Sequence, residues 1–90
     1  MEGIWTICNT GLGSSYFVEM NIQDILNKYN KNDQYFTCHG ALYDVDWSLV
    51  DIAVVARDII DLVPEFVKKV VLNSIVDLDE LETKLLEVIG

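Results

Sequence analysis

Apolar and polar positions along this chain change period several times, and each change marks an element. Ile4 to Ile7 form a short apolar run that ends at Cys8, as a strand would. Asn9-Thr10-Gly11-Leu12-Gly13-Ser14-Ser15 follows, rich in turn formers. Val18, Ile22, Ile25, Leu26 and Tyr29 then recur at helical spacing, while Glu19, Gln23, Asp24, Asn27 and Lys28 fall off that stripe. Asn30-Lys31-Asn32-Asp33 ends the helix, and Tyr35 to Cys38 predicts a second strand. Ala41 to Val50 reads as a loop with a short helix. Asp51 to Ala56 reads as a strand covered on both faces. Asp58 is placed to cap a short helix over Ile59, Ile60, Leu62 and Val63, which Pro64 interrupts. Val70 to Leu72 predicts a fourth strand. Asp77 with Glu80 three residues on has the form of a capping box, and the last helix places Leu78, Leu81, Leu85 and Val88 on one face.

Strands alternating with helices predict an α/β fold, a parallel sheet sandwiched between helical layers. Right-handed crossovers bring every strand's C-terminal end to one edge, where such sheets bind ligands. Cys8, at the end of the first strand, falls on that edge. With 90 residues the chain is expected to be one domain, 1–90.

Charge narrows the functional classes. Asp and Glu number 15 against 6 Lys and Arg, a net charge of −9. Nucleic acid is an unsuitable ligand for so few cations. No apolar run is long enough to span a bilayer, and the start of the chain has no basic-then-apolar signal pattern, so a cytoplasmic protein without direct membrane insertion is expected. No metal-ligating cluster is apparent. Of the two cysteines, Cys38 has no motif around it and is expected to be a small buried hydrophobe. Cys8 differs in its neighbours.

In the Cys8 loop, Gly11 and Gly13 let the backbone approach a ligand closely. Successive N–H groups of Asn9, Thr10, Gly11, Leu12 and Gly13 can then form an anion cradle, and a helix opening near Ser14 adds unsatisfied N–H groups and the positive end of its dipole. Ser14 and Ser15 can cap that helix or donate hydroxyls to phosphate oxygens. The same field favours the thiolate of a cysteine whose ordinary pKa is about 8.5. A bare Gly-x-Gly is compatible with a simple tight turn. A cysteine leading directly into a glycine-serine loop at a strand–helix junction is a more specific signal. The loop lacks Gly-Lys-Ser/Thr, so it is not a nucleotide P-loop, and it holds a single cysteine, so it is not a thioredoxin-type pair.

Cys8-Asn9-Thr10-Gly11-Leu12-Gly13-Ser14-Ser15, with Val18-Glu19-Met20-Asn21 after it, resembles the enzyme IIB components of the bacterial sugar phosphotransferase system, in particular the ascorbate-type branch. The resemblance continues weakly through Asp51-Ile52-Ala53-Val54-Val55 and Lys84-Leu85-Leu86-Glu87-Val88. It implies a four-stranded parallel sheet in the order 2-1-3-4, Rossmann-like and similar to the small cysteine phosphatases. It also implies a reaction in which phosphohistidine on a IIA partner donates to Cys8, and the phosphocysteine donates to an ascorbate-like sugar held by the membrane partner IIC. No dissociable cofactor is implied, only the covalent phosphocysteine. The protein would then sit peripherally at the membrane through IIC. His39, the sole histidine, stands in no ligand or triad motif, so the phosphohistidine is expected on another protein.

Two other classes share these features. Low-molecular-weight tyrosine phosphatases carry Cys-x5-Arg-Ser, with the arginine clamping phosphate. Here Ser14-Ser15 stands at that point, which favours a carrier. Arg57, at the end of the third strand, is the alternative cation for the loop, against the plainer expectation of a surface arginine paired with an aspartate. IIB-like domains also serve as phosphorylation-sensing modules of transcription regulators, and no DNA-binding segment is present here. Finally, Tyr16, Phe17 and Met20 fall off the helical stripe beside the Cys8 loop, where a partner-docking surface is expected.

Overall fold

The computed structural model describes residues 1–9 and 14–90, with the side chain of Ser14 left out of the description. Four strands, β1 (Glu2–Cys8), β2 (Tyr35–Ala41), β3 (Ile52–Ala56) and β4 (Lys68–Leu72), form one all-parallel sheet in the order 2-1-3-4. Helices α1 (Ser14–Lys28) and α2 (Leu78–Ile89) lie on one face. Beneath them Ile4, Ile52, Val54, Val70 and Leu72 of the strands pack on Val18, Ile22, Leu26, Leu81 and Leu85. The other face buries Ile7, Ala53 and Val55 with Ile59, Val63 and Val67. Its cover is thin, two 3₁₀ turns at Trp47–Leu49 and Arg57–Leu62. The connections 42–51 and 57–67 are shorter than the dozen or so residues an α-helical crossover takes.

α1 ends as its polar tail predicts. Asn30 takes a left-handed φ of 56°, Lys31 N–H reaches the Leu26 carbonyl at 2.8 Å, and Asn30 N–H reaches Asn27 at 3.3 Å. This is the Schellman arrangement, with asparagine in the place glycine usually takes. Tyr29, expected in the buried stripe, is 39% exposed. Its phenol donates to Glu82 of α2 at 2.6 Å, and Lys28 pairs with the same carboxylate, so the ring snorkels to the surface.

Other expectations need correction. β2 and β4 are longer than their apolar runs, because His39, Gly40, Lys68 and Lys69 join the ladders. Asp58 does not cap a helix. The turn after β3 begins two residues earlier than expected, at Arg57, with Ala56 at the cap position and no side-chain bond there. Leu78 is exposed at the first position of α2, and Leu81 and Leu85 carry the burial. Cys38 is half-buried rather than buried.

The capping box at α2 is half formed. Asp77 accepts from Glu80 N–H at 3.0 Å. Glu80 does not reach back to Asp77. It accepts from the N–H groups of Asn73 and Ser74, each at 3.0 Å, and from Lys84 Nζ at 2.8 Å. These donors, Lys84 first, then the backbone of Ser74 and Asn73, hold its pKa at about 2. The fold therefore binds the ionised carboxylate. The stabilisation is fully present above the ordinary value of 4.5 and is lost as pH falls toward about 2. Urea denaturation between pH 2 and 6 is expected to show a shallower acid-side loss in Glu80→Gln than in the unchanged chain. Equal slopes would refute the clamp.

Candidate functional site

In the order 2-1-3-4 the chain leaves β1 toward one side of the sheet and β3 toward the other, so the crevice lies between the C-terminal ends of these two strands. Cys8 is the last residue of β1 and Ala56 the last of β3. By strand alternation Cys8 shares a face with Ile4 and Thr6, the face that α1 covers. Thr6 pairs with Val54 on β3 and with His39 on β2, and Cys8 pairs with Ala41.

A cleft of about 280 Å³ opens at this crevice. Among the described residues its polar lining is Thr6, Cys8, Asn9, Ser15 and Asp58, and Val18, Val55, Ile59, Leu72 and Ile75 are among its apolar walls. Thr6 Oγ1 donates to the Ser15 carbonyl at 2.7 Å, tying the first turn of α1 to β1. Ser15 is 2% exposed, and its hydroxyl has no hydrogen-bond partner among the described residues. A buried hydroxyl in that state has an open donor and acceptor. The first turn of α1 carries no carboxylate, so its N-terminal dipole is uncompensated from within the helix. Thr10, Gly11, Leu12 and Gly13, the middle of the expected cradle, lie outside the described residues. The described parts supply a half-buried thiol, a buried hydroxyl and a helix N-terminus around one cleft, the donor set for an anion beside a nucleophilic sulfur.

Against this geometry, the chain matches the family model described as PTS system, Lactose/Cellobiose specific IIB subunit, over residues 3–87. It belongs to this family of IIB components. A phosphotransferase role in sugar uptake follows, since IIB components work between IIA and membrane IIC components. No curated relative matches the chain. The match does not single out the ascorbate-type branch that the loop resembles. Among the described residues no helix is long and apolar enough to cross a membrane, and no cluster could hold a metal ion.

In this IIB component the other candidates fall around the cleft unequally. Tyr16, Phe17 and Met20 are 53, 47 and 45% exposed in the first two turns of α1. Arg57 does not line the cleft. Its guanidinium donates to Asn73 Oδ1 at 3.5 Å, and no carboxylate among the described residues pairs with it. The expected aspartate partner is not the contact Arg57 makes among the described residues, and loop residues 10–13 lie outside them. Cys38 lies outside the cleft on β2, and burial together with the Glu19 carboxylate pushes its pKa up. A thiol held protonated is a poor nucleophile.

The sequence reading missed Glu19. Set off the apolar stripe by its charge, it is 6% exposed. Its carboxylate accepts from Thr37 Oγ1 at 2.8 Å and bonds His39 Nδ1 at 2.5 Å. Gln23 donates to the same Thr37 hydroxyl at 2.9 Å, and the Tyr16 ring meets the His39 imidazole edge-on at 5.3 Å. His39 is thus engaged on β2 by a carboxylate and an aromatic ring. A signal was present: Glu19 lies four residues after Ser15 and three before Ile22, on the inward face of α1. Removing the carboxylate leaves two polar partners unmatched in a partly buried seam. Glu19→Ala is expected to cost about 1–3 kcal/mol in urea denaturation. Unchanged stability would show the seam to be solvated and passive.

Proposed function

We propose that this IIB component takes a phosphoryl group from phosphohistidine of a IIA protein onto Cys8 Sγ and passes it to a sugar held by membrane IIC. The observation that carries the reading is Cys8 at the rim of the β1/β3 crevice, sharing its cleft with the open hydroxyl of Ser15. Phosphoryl transfer between imidazole and thiolate asks the protein for positioning and for donors to the phosphoryl oxygens. Asn9, Thr10, Gly11, Leu12, Gly13, Ser14 and Ser15 supply these as a backbone and hydroxyl cradle. The intermediate is a covalent phosphocysteine, and no dissociable cofactor enters. The protein works in the cytoplasm, drawn to the membrane by IIC. No arginine is among the described lining residues of the cleft, which supports a carrier over a hydrolase, because a strong cationic clamp would stabilise attack by water as well.

The sugar follows from IIC. The loop pattern supports ascorbate, and the family description names lactose and cellobiose as the competitors. Transfer reconstituted with candidate IIC proteins and these three sugars decides between them.

The phosphorylation site is directly testable. Incubation with phosphorylated IIA is expected to add one phosphoryl mass at Cys8. Cys8→Ser should abolish stable uptake, and Cys38→Ser should retain it. Phosphate found on His39 or Cys38 sinks the assignment.

In this reading the donor docks on Tyr16, Phe17 and Met20, large side chains left in solvent in the first two turns of α1. Methionine suits a face that meets two partners in turn. Tyr16→Ala and Met20→Ala are expected to raise the KM for phosphorylated IIA about fivefold or more, the effect of ~1 kcal/mol at an interface, with thermal stability kept. Variants that lose stability and keep transfer would move the docking face elsewhere.

A further inference from the structure

We infer that Asp58 is the general base of the delivery half-reaction, taking the proton of the accepting hydroxyl as phosphocysteine gives up its phosphoryl group. The inference rests on the carrier reading above. Asp58 is the second residue of the 3₁₀ turn that leaves β3 without an intervening loop. The next residue, Ile59, is 5% exposed and anchors the turn in the second core. The preceding residue, Arg57, is turned to Asn73. Between these two anchors, Asp58 lines the cleft with Cys8, Asn9 and Ser15. It is the only carboxylate among the described lining residues, and it has no hydrogen-bond or ion-pair partner among them. Glu19, by contrast, is committed to Thr37 and His39.

The two halves of the carrier cycle differ in what they ask of a base. In uptake the donor's P–N bond breaks, the S–P bond forms, and the electron pair leaves with the imidazole. The thiolate attacks, and the imidazole leaves neutral because the phosphohistidine already carries a proton on its other ring nitrogen, so this chain has no proton to move in the step. In delivery the sugar oxygen attacks phosphorus, the O–P bond forms, and the S–P electron pair returns to Sγ. Here the hydroxyl proton must be removed. It goes to the Asp58 carboxylate and from there to Sγ or water, so sugar hydroxyl and phosphocysteine become sugar phosphate and thiol. A thiolate needs no acid to leave, since a thiol is acidic at about 8.5. A hydroxyl that keeps its proton is a poor nucleophile, and a positioned base contributes roughly 10²–10⁴-fold. Cys8 and Asp58 are the only titratable side chains among the described lining residues.

The test separates the two halves. The full chain is loaded by phosphorylated IIA and followed by mass for uptake. The loaded protein is then mixed with IIC vesicles and ascorbate, lactose or cellobiose, and loss of phosphocysteine is followed for delivery. In Asp58→Asn the ratio of delivery rate to uptake rate is expected to fall about 100-fold, and Asp58→Glu is expected to recover much of it. An equal effect on both halves, or faster delivery in Asp58→Asn, overturns the base and leaves the carrier intact. Failure of the unchanged chain to load Cys8 overturns the carrier reading itself, and the inference with it.

Discussion

The hydrogen bond from Thr6 Oγ1 to the Ser15 carbonyl fixes what the rest of the site depends on. Thr6 stands one pleat before Cys8 on the same face of β1, and Ser15 is the second residue of α1. The bond is buried and 2.7 Å long. Its net worth, about 1 kcal/mol, is small beside the core. Its effect is positional. It seats the first turn of α1 over the end of β1, so the helix's unsatisfied N–H groups and the Cys8 thiol address one space. Valine at this position would pack equally well and leave the turn free to slide. Apolar packing of Ile4 against Val18 and Ile22 sets the distance between helix and sheet, and the directional bond selects one position among those the packing tolerates.

Much of this was legible in residue order because burial imposes a period. Val18, Ile22, Ile25 and Leu26 had to face a sheet, and Ile52 to Val55 had to lie inside one. A cysteine ending a strand before a glycine-serine turn had to reach the ligand-binding edge. Polarity hid the rest. The inward face of α1 runs on through Glu19 and Ser15, whose burial is possible only because other elements supply partners: Thr37 and His39 from β2 for Glu19, and Thr6 from β1 for the Ser15 backbone. Helical phase places a residue on a face, but a partner some twenty residues away has no local signature. Glu80 makes the same point. Its spacing from Asp77 suggests a reciprocal cap, yet two open N–H groups of the preceding turn and Lys84 compete for the carboxylate and win.

The two faces of the sheet are built to different standards. One carries two α-helices, and the other only 3₁₀ turns, with Tyr43, Leu49, Leu62 and Phe66 left exposed on the connections. The thin cover follows from connection length and from Pro64, which removes a backbone donor. It also has a consequence for the cleft. A long crossover would carry the residues after β3 away from the sheet edge. The short turn keeps Asp58 beside the strand end, with Ile59 buried under it as an anchor. Economy in the scaffold and placement of a polar group at the site are therefore one feature.

The cleft also explains how a chain of net charge −9 can suit a phosphoryl dianion. No lysine or arginine is among its described lining residues. A cationic clamp would bind the dianion tightly and draw charge from phosphorus, lowering the barrier to any nucleophile, water included. In the proposed carrier role, neutral donors such as a hydroxyl and backbone N–H groups at a helix end would hold the oxygens with less polarisation. In a carrier, the phosphoryl group should lie close in free energy on donor, sulfur and acceptor, since a deep well on sulfur would stall the second transfer. Weak, directional holding by neutral groups meets that requirement. On the same reading, an acidic chain of net charge −9 would disfavour stray phosphate and other free anions near the cleft.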